Sequence, residues 1–109
     1  MSFQGQLEGL ILAVLGEGPL HGYAIACELR ERSGGELGVA EGTLYPMLHK
    51  LEKDGLIHSR WETVNGRRRR VYAQSARATS AVRERFDSWR RLSRAIDSVF
   101  VSASEGAGD

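Results

Sequence analysis

Residues 42–57, Gly42-Thr43-Leu44-Tyr45-Pro46-Met47-Leu48-His49-Lys50-Leu51-Glu52-Lys53-Asp54-Gly55-Leu56-Ile57, read as one amphipathic helix, a stop and the start of an extended run. Leu44, Met47, Leu48 and Leu51 recur at helical spacing, which directs one face into a core. At about 100° per residue the opposite face carries Gly42, Pro46, His49, Lys50 and Lys53, with Thr43 at its start and Tyr45 on its flank. Small, cationic and hydrogen-bonding groups on one face suit a groove of double-stranded DNA. Pro46 has no N–H to donate, and its ring clashes with the carbonyl four residues back, that of Gly42. The helix is therefore expected to start between Ala40 and Thr43, with Pro46 in or near its first turn and Thr43 able to cap it. Asp54-Gly55 ends it, because glycine takes a left-handed cap at little cost.

Upstream, Phe3, Leu7, Leu10, Ile11, Val14 and Leu15 follow the helical repeat until Gly16-Glu17-Gly18-Pro19 interrupts it, predicting a first helix over about residues 3–15. Leu20-His21-Gly22-Tyr23 opens a second helix in which Tyr23, Ile25, Ala26 and Leu29 supply apolar contacts, and Ser33-Gly34-Gly35 closes it. Cys27 in this helix reads as a small core residue. Two short helices, a short link over 36–40 and the presented third helix make the frame of a helix-turn-helix.

Downstream, the runs 56–64 and 67–72 flank Asn65-Gly66, a strong short-range signal for a two-residue type I′ hairpin, since both central residues need positive φ. Arg67, Arg68, Arg69 and Arg70 follow at once. Such a run is ordinarily a solvated face, but beside a helix-turn-helix it forms a wing able to reach phosphates or a narrow minor groove. From Ser75 to about Ser102 the chain lacks Gly and Pro and reads as one long helix. Val82, Phe86, Trp89, Ser93, Ile96 and Phe100 are spaced as a heptad seam, widened by Leu92 and Val99. So long a helix exceeds what a three-helix core covers, which implies pairing with a second copy in a homodimer. Residues 102–109 are small and polar and are expected to fray.

The fold class is thus mainly α with a two-stranded β wing: a winged helix-turn-helix over 1–74, then a dimerisation helix and tail over 75–109. The chain has 109 residues and a net charge of +1, too small to argue for nucleic acid by itself. The charge is uneven: residues 1–66 hold five Lys/Arg against nine Asp/Glu, a sum of −4, and residues 67–109 hold ten against five, a sum of +5. No long apolar run or cleavable signal peptide is visible, which points to a cytoplasmic protein with no membrane partner. A single cysteine excludes an internal disulfide. Cys27, His21, His49 and His58 have no spacing that marks a metal site, and no nucleophile, phosphate-loop or carboxylate-pair pattern suggests an enzyme or a cofactor.

Four motifs occur in order: Gly18-Pro19-Leu20-His21-Gly22-Tyr23, Gly42-Thr43-Leu44-Tyr45-Pro46, Leu51-Glu52-Lys53-Asp54-Gly55-Leu56-Ile57 and Gly66-Arg67-Arg68-Arg69-Arg70-Val71-Tyr72. Together they resemble the PadR family of transcriptional regulators over residues 7 to about 100. The single C-terminal helix is similar to the family's small subgroup, and Phe86-Asp87-Ser88-Trp89 to its multidrug-sensing members. The resemblance implies a dimeric winged helix whose third helix enters the major groove, whose wing touches flanking DNA, and whose repression is relieved by a ligand. Gln74-Ser75 and Ala78 depart from the family's usual Leu-Thr and glycine, and Ala40-Glu41 from its Ser-Pro; Ser75 can still cap the last helix.

The candidate DNA-binding residues are therefore Gly42, Thr43, Tyr45, Pro46, His49, Lys50, Lys53 and Arg67 to Arg70. Tyr45 has two readings, stacking on the second helix or hydrogen-bonding a phosphate, and Lys50 and Lys53 read as phosphate ligands. Val82, Phe86, Trp89, Leu92, Ile96, Val99 and Phe100 are the expected dimer interface. Trp89 is either plain dimer core or, beside the small Ser93, a platform on which a planar aromatic effector stacks; Leu7, Leu10, Ile11 and Val14 would then line the walls. The function implied is a repressor of an operator, modulated by a small molecule. The alternative is a winged-helix module that binds protein, against which the four arginines argue because burying them needs matched carboxylates.

Overall fold

A computed structural model describes residues 3–106, with side chains from residue 5 onward. The side chain of Phe3 and the last three residues of the expected tail lie outside the described residues. The elements run α1 (Phe3–Val14), a 3-10 turn (Leu15–Glu17), β1 (Leu20–His21), α2 (Gly22–Arg32), α3 (Glu41–Lys53), β2 (Ile57–Val64), β3 (Arg67–Gln74) and α4 (Ala78–Gly106).

One core joins α1, α2, α3 and the base of the hairpin. Leu7, Ile11, Leu12, Ile25, Leu44, Leu48 and Leu51 are fully buried in it, with Leu56, Ile57, Tyr72 and Ala78 closing its edges. Met47 packs partly against it, so the apolar face read for α3 is the buried one. Tyr23 is 70% exposed and Cys27 is exposed, contrary to the core roles read for them. On α2 the buried stripe is Gly22, Ile25 and Leu29, and Tyr23 and Cys27, four residues apart, share the face turned away from it.

The turns follow their sequence chemistry. Asn65 at φ 51° and Gly66 at φ 78° make the type I′ turn. Gly55 at φ 77° caps α3, with Gly55 N–H donating to the Glu52 carbonyl and Leu56 N–H to that of Leu51. The sheet has three strands in the order β1-β3-β2, all antiparallel. Gly18 at φ 142° and Pro19 turn the chain so that Leu20 and His21 pair with Tyr72 and Val71, adding a strand to the two of the wing. Gln74 fills the place of the expected leucine by donating its amide N–H to the Leu12 carbonyl at 2.6 Å. Ser75 lies three residues before α4; its hydroxyl donates to the Gly55 carbonyl at 2.7 Å and accepts weakly from Arg77 N–H, tying the wing to the end of α3 more than it caps α4.

Helix α4 packs on α1 through Ala78, Ala81 and Val82 and then runs past the core, giving dimensions of 66 × 27 × 22 Å. It stays helical to Gly106, four residues beyond Ser102, where fraying was expected. Among the described residues no helix is long and apolar enough to cross a membrane.

Candidate nucleic-acid interface

Helix α3 begins at Glu41 after Ala40, which offers no side-chain cap, so Thr43 does not cap it. Pro46 is the sixth helical residue, just past the first turn. The Gly42 carbonyl consequently loses its usual i+4 donor. A side chain at Gly42 would meet nothing within 4 Å. The outer face, Gly42, Tyr45, Pro46, His49, Lys50 and Lys53, is exposed along the helix.

Tyr45 sits against the start of α2. A Cβ placed on Gly22 would lie 2.7 Å from the Tyr45 hydroxyl oxygen and 2.9–3.0 Å from its ring carbons. The ring therefore occupies the space that a glycine leaves open, while 44% of the residue stays exposed. Both readings of Tyr45 are compatible with this pose, stacking on α2 and a hydroxyl at the surface.

Lys50 is not a free cation. Its ammonium donates to Glu8 of α1 at 2.5 Å and to Asp54 at 3.2 Å. Hydrogen bonds to Glu8 and then Asp54 hold its pKa above the ordinary lysine value. Lys53 remains exposed one turn further on.

The antiparallel register divides the arginine run, since residues directly opposite share a face. Arg70 faces Trp61, and its guanidinium lies 5.4 Å from the indole centroid while its Nε donates to Ser59 at 2.7 Å and its end approaches Glu52. Arg68 stacks on the same indole at 4.8 Å. Arg69 is opposite Glu62, which pairs with Arg60 at 2.9 Å, and Arg67 stands beside the turn opposite Val64. Trp61, 54% exposed, thus organises two of the four arginines. The sequence reading did not assign it, although counting back from the Asn65-Gly66 turn pairs residue 61 with 70. On the opposite face His21 is held below the ordinary histidine pKa, first by burial and then by Arg69. Tyr72, at the buried end of the hairpin, is raised chiefly by burial.

A second feature lies between α1 and α4. Leu10, Gly9 and Ala13 of α1 and Val82, Phe86, Trp89, Leu92 and Ile96 of α4 line a groove of about 530 Å³, with Gln6, Leu37 and Arg85 at its edges. Of the α1 residues expected on its walls only Leu10 is there. Leu7, Ile11 and Val14 point the other way and are buried in the core, because a helix has one face for each neighbour. Ser93 is half-buried and does not line the groove. Beyond it Ile96, Val99, Phe100 and Val101 are exposed, Phe100 at 70%. Among the described residues no three His, Cys, Asp or Glu side chains gather to hold a metal.

The sequence model described as "Transcriptional regulator PadR-like family" matches residues 11–84. The chain is 38% identical over 86 residues to the transcriptional regulator Rv3488 of Mycobacterium tuberculosis, covering 79% of this chain and 78% of that one. A transcriptional regulator from Clostridium thermocellum superposes with a TM-score of 0.79 at 26% identity, covering 86% of this chain and 92% of its own. Bacillus subtilis PadR, in a crystal structure with operator DNA, superposes with a TM-score of 0.66 at 25% identity over 72% of this chain and 44% of its own. These relatives are regulators of transcription, not enzymes. With its winged-helix topology, its motifs and two thirds of its length matched, the chain belongs to the PadR-like family of transcriptional regulators.

Proposed function

We propose that this regulator is a homodimeric repressor that binds a double-stranded DNA operator and is modulated by a small, planar aromatic molecule. Residues 1–74 serve as the DNA-binding part and 75–109 as the dimerisation element. Helix α3 lies in the major groove with Gly42, Thr43, Tyr45, Pro46, His49 and Lys53 toward the DNA, and Arg67 to Arg70 reach flanking phosphates or minor groove. The observation that carries this reading is the exposed face of α3 set beside an arginine-bearing hairpin. The superposition on a PadR solved with operator DNA supports it. Such a protein works where the chromosome is, in the cytoplasm.

Val82, Phe86, Trp89, Leu92, Ile96, Val99 and Phe100 pair with the same residues of a second copy across a two-fold axis, which covers the exposed stripe of α4. Two recognition helices about 34 Å apart then meet successive turns on one side of the duplex. The effector stacks on Trp89 in the groove between α1 and α4 and acts by binding more tightly to one spacing of those helices than to another.

Fluorescence anisotropy of labelled DNA from upstream of the protein's own gene, against scrambled DNA over a salt series, tests the DNA reading. Tight, selective binding is expected, with log affinity falling against log salt by about 0.9 per phosphate neutralised. No binding to either DNA at low salt overturns it. For the effector, Trp89 emission in a Trp61→Phe background is expected to change on titration with planar aromatic compounds that also lower the anisotropy. Loss of anisotropy without any change at Trp89 places the effector elsewhere.

A further inference from the structure

Glu8 is the charged side chain in the buried set, 8% exposed, among the described residues. It lies in line with Leu12 and Leu15 on the core side of α1. Two cations from two other helices meet its carboxylate: Lys50 of α3 on Oε1 at 2.5 Å and Arg85 of α4 on Oε2 at 3.2 Å. Arg85 reaches it because α1 and α4 close tightly at Gly9, where an added Cβ would lie 2.9 Å from Arg85 Cδ and 3.0 Å from its Cβ. The Arg85 Nε is buried with no hydrogen-bond partner, and the same side chain edges the groove beside Trp89.

From this arrangement we infer that Glu8 is a positioning residue that holds Lys50 of α3 away from DNA and links that hold to the placement of α4 through Arg85. The inference rests on the DNA-binding reading given above and assigns a role within it. With Arg85 on Oε2, loss of Lys50 would leave Oε1 of a buried carboxylate without a partner, which is costly, so Lys50 stays with Glu8 when the outer face of α3 meets a phosphate backbone. Its position on that face then adds no phosphate contact, and sequence-independent affinity is lower than the count of exposed cations implies. Arg85 holds the other oxygen of the same carboxylate. Any displacement of α4 relative to α1 alters that shared pairing, so the groove and α3 share one charged group.

The salt dependence of DNA binding distinguishes a withheld lysine from a phosphate ligand. Lys50→Met in the otherwise unchanged chain is expected to leave the slope of log affinity against log salt as it was, while Lys53→Met, the positive control, lowers it by about 1.8 per dimer. Glu8→Gln is expected to raise the slope by about 1.8 per dimer, and Glu8→Gln with Lys50→Met to return it to the original value. A drop of that size for Lys50→Met alone overturns the inference, as does an unchanged slope for a folded Glu8→Gln. Should Glu8→Gln fail to fold, Lys50→Met still decides. Thermal melts of the single and double variants without DNA test the pair itself: additive effects overturn it, coupled effects support it. Failure of the unchanged protein to bind any DNA sinks the repressor reading instead, and the melts still report on Glu8 and Lys50.

Discussion

Gly22 and Tyr45 illustrate how a glycine can serve a neighbour's side chain instead of its own backbone. Alanine at 22 would meet the Tyr45 hydroxyl oxygen at 2.7 Å and its ring carbons at 2.9–3.0 Å, yet that side chain is half exposed and can swing outward. At the first position of α2 alanine gains less over glycine than the roughly 1 kcal/mol of a helix interior, which offsets part of the local crowding. Gly22→Ala is therefore expected to leave the melting temperature within a few degrees while weakening operator binding through a displaced Tyr45; a melting temperature that collapses would show that the ring is locked in place. Gly42 presents the opposite case, since nothing in the protein occupies the space a Cβ would take. Gly42→Ala, at the second residue of α3, is expected to raise stability by up to about 0.5 kcal/mol in a thermal melt and to lower operator affinity on the order of tenfold, about 1.4 kcal/mol. His21 makes a prediction in pH. Burial and Arg69 favour its neutral form in the folded state, so the unfolded chain takes the proton first as pH falls through the ordinary histidine value near 6.5. The stability it contributes is present above that pH and is lost below it, down through the lowered folded value. Urea midpoints measured between pH 7.5 and 5.5 should fall, and His21→Gln should flatten the fall.

Among the elements, the wing shows how register sorts a charge run. Arg68 and Arg70 share a face with Trp61, whereas Arg67 and Arg69 share one with Glu62 and His21. A guanidinium over an exposed indole gains about 0.5–1 kcal/mol and loses freedom, so the stack presents two charges in a fixed pose. Trp61→Ala leaves the number of charges unchanged. It should weaken DNA binding at every salt concentration without altering the salt slope, because the slope counts phosphates neutralised and not the order of the side chains that neutralise them. A changed slope in the anisotropy series would mean that Trp61 decides whether those arginines reach phosphate at all. Helix α3 shows the complementary point: its start within the window that Pro46 leaves, its buried side, its stop and the extended run follow from local sequence, but the absence of a Thr43 cap and the engagement of Lys50 do not.

At the scale of the molecule, α4 carries most of the unsatisfied apolar surface. A helix of 29 residues is about 43 Å long, and the core of one copy covers only its beginning. The proposed two-fold pairing buries Val99 and Phe100 near the far end, where a carboxylate would face its own counterpart. Val99→Asp with Phe100→Asp should shift the protein to monomer in sedimentation at micromolar concentration and reduce operator binding, leaving the fold of residues 3–74 intact by circular dichroism. A variant that stays dimeric would confine the interface to the segment around Val82, Phe86 and Trp89.

What the sequence determined by itself is governed by short-range geometry. Positive φ at Asn65 and Gly66 set the hairpin, Gly55 ended α3, and helical spacing marked Leu44, Leu48 and Leu51 as core; those choices depend on residues within one turn of each other. Four motifs in order were enough for the family. Only the tertiary structure decided that Tyr23 and Cys27 lie outside, that Leu7, Ile11 and Val14 face the core and not the groove, and that Glu8 gathers Lys50 and Arg85. A charge aligned with Leu12 and Leu15 does announce in the sequence that residue 8 needs a partner. Which partners it finds, Lys50 42 residues away on α3 and Arg85 on α4, depends on how the helices pack, as in the close approach of α4 to α1 at Gly9, and not on the local pattern of any one helix.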